Sequence, residues 1–113
     1  MTGPTHVEII TPKGVERELI STDSGFLGHG EVVTFLDAEG GDLEGKARRH
    51  SRKGLPVLVR VRVPIEASTL ASIGSVPVAL TIIPEGRDAF TTYGDSEGTQ
   101  KAFSVKGAKH GRR

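Results

Sequence analysis

Between Leu55 and Ile65 the chain reads Leu-Pro-Val-Leu-Val-Arg-Val-Arg-Val-Pro-Ile, and no other stretch limits the fold as strongly. Val57, Val59, Val61 and Val63 alternate with Leu58, Arg60 and Arg62. β-Branched residues at a period of two mark a strand that buries one face only. Burying the valines gives roughly 6–12 kcal/mol of gross transfer free energy, at about 1.5–3 each. The strand is therefore a core element of whatever sheet forms. On its other face Arg60 and Arg62 point the same way, about 6.5–7 Å apart along the strand. That spacing is close to one step of a nucleic-acid backbone, and it is also what a solvated sheet face would show.

The rest of the chain has the composition of a sheet protein. With 15 Gly, 6 Pro and no Asn, turns fall to Gly, Pro and Asp, and the enrichment in Val, Ile and Thr predicts short strands between them. Val7–Ile10 and Val15–Ile20 read as two strands joined by Thr11-Pro12-Lys13-Gly14, with Pro second and Gly fourth as a β-turn favours. Ser21–Gly30 reads as a glycine-rich loop, Glu31–Leu36 as a strand, and Asp37–Gly45 as an acidic turn region. Glu66–Ser75 fits a short helical turn or an extended loop. Val76–Ile83 is a second well-marked strand, and Ala89–Tyr93 one more. The segment after Gly94 fits a weak strand or a short helix. The predicted class is mainly β: an antiparallel sheet of several short strands, little helix, and at most a short C-terminal helix. At 113 residues the chain makes a single domain, 1–113, with a basic tail over about 101–113.

Several function classes drop out. There is no Cys, so disulfides and thiolate chemistry are excluded. No apolar run approaches membrane-spanning length, and the start lacks the basic and apolar regions of a secretory signal. The expectation is a soluble protein with no membrane partner. His6, His29, His50 and His110 lack metal-ligand spacing. Ser21, Asp23, Ser24 and His29 have the residue types of a nucleophilic triad without the strand–elbow–helix setting. Gly25–Gly30 has no Lys after it to make a phosphate loop, and Asp37, Glu39, Asp42 and Glu44 read as a solvated turn rather than a Ca²⁺ site. No catalytic constellation remains. The expectation is a protein that is not an enzyme and takes no cofactor or metal.

Charge is segregated although the total is only +1. From Glu18 to Glu44 there are acids and no Lys or Arg; from Lys46 to Arg62 there are bases and no acid. Such blocks mark interaction surfaces or solvated tails. Lys46–Lys53 has only Ala47 to bury, and the simplest arrangement pairs it as an antiparallel hairpin with Leu55–Ile65. That hairpin would gather Arg48 or Arg49 and Arg52 beside Arg60 and Arg62. Like charges across a sheet repel, so the cluster asks for an anion: a nucleic-acid backbone, or the acidic block of another copy.

Gly30-Glu31-Val32-Val33, then Arg48-Arg49-His50-Ser51-Arg52-Lys53-Gly54 leading into Val57-Leu58-Val59-Arg60-Val61-Arg62-Val63-Pro64, resembles the central sheet of single-stranded RNA bacteriophage (levivirus-like) coat proteins. The resemblance covers about Gly30–Ile83, roughly half of the chain. It implies that Leu58, Arg60 and Arg62 face genomic RNA, with Arg48, Arg49, Arg52 and Lys53 beside them. It also implies that the valines pack under helices of a dimer partner, and that the protein is made in the host cytoplasm and ends in the virion. Those coat proteins end in apolar helices. Gly86–Arg113 is too polar to supply two, so what covers the valine face stays open.

The resulting expectation is a viral coat protein that self-assembles into a shell, as a homodimer or larger, and binds RNA through a basic sheet face. The alternative is a β-barrel or β-sandwich decoration, connector or tail component that binds no nucleic acid.

Overall fold

The computed structural model describes residues 5–22, 25–28, 31–36, 41, 43–49 and 55–103. Its centre is one seven-stranded sheet: β1 (Thr5–Thr11), β2 (Gly14–Thr22), β3 (Gly25–Gly28), β4 (Glu31–Val33), β5 (Val57–Arg62), β6 (Pro77–Pro84) and β7 (Phe90–Asp95), in the order β4-β3-β2-β1-β5-β6-β7. Among the described residues three short helices accompany it: α1 (Leu43–Arg49), α2 (Ala67–Ile73) and α3, helical from 97 to 103. The protein is mainly β, as its composition predicts.

The sheet is mixed rather than purely antiparallel. β1 and β5 run parallel, with Val7 opposite Val59 and Ile9 opposite Val61; the other pairings are antiparallel. A parallel neighbour cannot be reached by a tight hairpin and needs a crossover. Here the chain leaves β4, passes through α1 and returns beside β1. The expected hairpin partner of β5 within residues 46–53 is thereby overturned, because residues 43–49 are helical. The cause lies just upstream of the basic block. Leu43 and Ala47, four residues apart, form a one-turn apolar stripe, and both are fully buried. Leu43 also donates its backbone N–H to the Phe35 carbonyl at 3.1 Å.

The glycine-rich stretch expected as a loop is partly strand: β2 continues to Thr22, and Gly25–Gly28 pairs back onto it. The turn before β2 forms as its sequence predicts, with Gly14 at φ 112°, a conformation that favours glycine. Between Ile9 and Ile10 the β1–β2 register shifts by a bulge at Glu16. Val15 therefore faces away from Arg17, although the two are separated by an even number of positions.

One face of the sheet carries Val7, Ile9, Leu19, Val57, Val59, Val61, Leu80 and Ile82, all essentially buried. Leu43 and Ala47 of α1, Leu70 of α2 and Ala102 of α3 join the same core. The valine face is thus covered by this chain's own helices, and the helices of a dimer partner that the resemblance implied are not needed. α3 is tied to α2 by side-chain amide donation from Gln100 to the carbonyls of Gly74 (2.7 Å) and Leu70 (3.3 Å). These bonds satisfy carbonyls at the C-terminal end of α2 that the helix itself leaves open. Ser96 accepts from the backbone of Val76 at 2.9 Å, and Asp95 accepts from the backbone of Glu97 at the start of α3.

Candidate interaction surface on the open sheet face

Because side chains alternate along each strand, burying one face of the sheet fixes what the other face displays. Across β2–β1–β5–β6–β7 the register sets out three rows. The first is Ile20, His6, Leu58 and Ile83; the second Glu18, Glu8, Arg60, Thr81 and Thr91; the third Val15, Ile10, Arg62, Ala79 and Tyr93. No described helix lies over these rows. Ile20 is 61% exposed, Tyr93 60% and Val15 52%. The outer rows are therefore largely apolar, and the charge is concentrated in the middle.

That charge is balanced. Arg60 Nε donates to Glu8 Oε1 at 3.2 Å, with Glu8 the more buried partner. His6 Nε2 lies 3.6 Å from Glu18 Oε1, and Thr81 and Thr91 meet hydroxyl to hydroxyl at 3.3 Å. Arg62 is exposed and makes no ion pair among the described residues. Against Arg60 and Arg62 stand Glu8, Glu18 and Asp95, so these strands do not form a cationic track. Beside Arg62 lies a shallow hollow of about 350 Å³, walled by Pro64, Pro77, Ala79 and Tyr93.

The predicted site residues divide between two sides of the molecule. Leu58, Arg60 and Arg62 share the open face, as the alternation in β5 requires. Arg49 is exposed on α1, and α1 packs through Leu43 and Ala47 onto the valine face. Arg49 therefore does not gather with Arg60 and Arg62, because a helix stands where a hairpin strand was expected. Arg48 is also in α1. Arg52 and Lys53 lie outside the described residues, as do Asp23, Ser24 and His29 and three of the acidic-turn residues, Asp37, Glu39 and Asp42. Among the described residues no three His, Asp or Glu side chains gather as a metal site would require.

Sequence reasoning overlooked Val15, Ile20 and Tyr93, the most exposed apolar side chains of this face. Ile20 sits in a run whose alternation reads as mixed, and the bulge at Glu16 is what resolves it. Arg17 was likewise not placed. It lies on the helix-covered side opposite Ile9, with Nε and Nη2 buried and without a hydrogen-bond partner among the described residues. Desolvation pushes its guanidinium pKa below the ordinary value. Comparison with known protein families, curated proteins and solved structures found no match to this chain.

Proposed function

We propose that this chain is a self-assembling structural protein, of the decoration, connector or shell-component kind, whose open sheet face is a contact surface for another copy of itself. One observation carries the reading. A sheet already furnished with its own helical layer leaves Val15, Ile20 and Tyr93 more than half exposed on the other face. Two such faces can stack about 10 Å apart with side chains interdigitating. The polar middle row suits this arrangement, since paired charges fix register with little net repulsion. No enzymatic step is part of the reading.

A second reading keeps the RNA-packaging coat protein. Exposed Arg62 beside Arg60, on the strand that resembles the coat-protein sheet, favours it. The two readings differ in which substitution matters. Val15→Glu with Ile20→Glu buries carboxylates in a stacked interface, so under the first reading light scattering after size exclusion shows a smaller species. Under the second, Arg62→Glu strips bound nucleic acid while particles persist. An RNA complex held by about six phosphates would also weaken roughly a thousandfold between 50 and 200 mM salt. A wild-type monomer free of nucleic acid overturns both.

A further inference from the structure

Across β1, β5, β6 and β7 the register sets Ile10, Arg62, Ala79 and Tyr93 side by side in one row of the open face. Neighbouring strands lie about 4.7–4.9 Å apart, so Arg62 and Tyr93 stand roughly 10 Å from each other with Ala79 between them. Alanine is the short residue of the three, and a slot opens over its methyl group. Pro64 and Pro77 close one end, and the hollow as a whole holds about 350 Å³, at the lower end of the range for small-molecule sites. The prolines have no backbone N–H to offer, and Val63 gives its own to the Ile10 carbonyl at 2.8 Å. Among the side chains that line the slot only Arg62 carries a charge. Arg60, one row away, is answered by Glu8 at 3.2 Å. Arg62 has apolar neighbours on both sides, Ile10 and Ala79, and makes no ion pair among the described residues. The acids beyond the prolines are engaged: Asp95 accepts the Glu97 backbone N–H, and Glu66 lies 3.7 Å from Lys13 Nζ.

We infer that this slot binds a small aromatic carboxylate, with its ring over Ala79 against Tyr93 and its carboxylate on the Arg62 guanidinium. The guanidinium fork matches a carboxylate with two parallel N–H···O bonds. Tyr93, 60% exposed, offers a ring that a second aromatic can meet offset or edge-on. The proline and alanine walls supply apolar contact without competing donors. An anion lacking an apolar body would leave those walls and Tyr93 in water, and an uncharged ring would leave Arg62 unanswered. The slot is complete within one chain, so the inference goes beyond the self-assembly reading and does not need it. Because the slot is shallow and open, the affinity for a ligand of about ten heavy atoms is modest, with Kd on the order of a millimolar.

Tyr93 is the only tyrosine and the chain has no Trp, so tyrosine emission reports on this slot alone. Phenylacetate is the probe and phenylacetamide its uncharged counterpart. Both are titrated into the wild-type chain and into Val15→Glu with Ile20→Glu, in which the slot is open even if wild-type copies stack over it. Phenylacetate is expected to change the emission saturably, with Kd on the order of a millimolar. Phenylacetamide should bind about tenfold more weakly, because it forgoes the charge-assisted pair. Arg62→Gln, at an exposed position, should weaken phenylacetate by about the same factor and leave phenylacetamide unchanged, a split that a merely structural role for Arg62 would not produce. No saturable change in either protein overturns the inference. So does equal affinity for acid and amide, or a preference for the acid that survives Arg62→Gln. Saturable binding in a wild-type chain that is monomeric throughout would remove the stacking reading and leave the slot standing.

Discussion

Gly98 lies buried in α3, and its replacement by alanine tests how that helix is seated. A Cβ at this position would stand 2.6 Å from Phe35 Cδ1, 3.1 Å from Phe35 Cγ and 3.1 Å from the Thr34 backbone oxygen. The ring has limited room to move, since Phe35 is only 2% exposed, and the carbonyl is backbone. Overpacking of this kind costs about 1–3 kcal/mol. Alanine returns about 0.8–1 kcal/mol relative to glycine in a helix interior, and less at Gly98, which stands in the first turn of α3. The first effect wins, and Gly98→Ala is expected to destabilise by about 1–2 kcal/mol. For a chain of this size that is a fall of roughly 4–10 °C in Tm. Urea unfolding followed by far-ultraviolet circular dichroism suits a protein without Trp, and should show a lower midpoint at unchanged slope. Phe35→Leu in the same background opens space for the new methyl group. The pair should therefore be non-additive by about 0.5 kcal/mol or more. Stabilisation by about 1 kcal/mol, as helix propensity alone predicts, would refute the seating of α3 against Phe35.

Three further outcomes follow from the same geometry. Arg17→Met removes a buried guanidinium with unsatisfied nitrogens and should raise stability by about 1–3 kcal/mol. Burial lowers the Arg17 pKa, so the penalty applies wherever the group is charged, at every pH below its folded pKa, and the gain should be the same at pH 6 and pH 8. Gly14→Ala forces a side chain to adopt φ near 112° and should cost about 1–3 kcal/mol by urea denaturation. A double-mutant cycle on Glu8→Gln and Arg60→Gln should return no more than about 1 kcal/mol, smaller at high salt, because Arg60 is 41% exposed.

What the sequence revealed and what it hid follow one physical division. Period-two alternation in Val57–Val63 sets burial residue by residue, and β5 follows it without exception. The β1–β2 turn was equally legible, because Pro12 and Gly14 act on their own backbone. Strand direction was not legible: nothing local to β5 says that its neighbour is β1, parallel and some fifty residues away. α1 was hidden because its apolar stripe crosses the boundary between two charge blocks. Leu43 closes an acidic stretch and Ala47 opens a basic one, so a single apolar stripe was split between two charge blocks. The candidate site suffered most from this, since its clustering depended on the strand that α1 replaced. The bulge at Glu16 likewise turned Val15 to a face that alternation alone does not give it.

Sedimentation velocity of nuclease-treated protein, recorded at 260 and 280 nm, shows whether the chain self-associates and whether it does so without nucleic acid. With no Trp and a single Tyr, bound nucleic acid would dominate the absorbance. Stacking through the open sheet face gives a species of at least two chains, carrying no excess absorbance at 260 nm, that persists at high salt and shrinks on Val15→Glu with Ile20→Glu. A monomer at every concentration would contradict it.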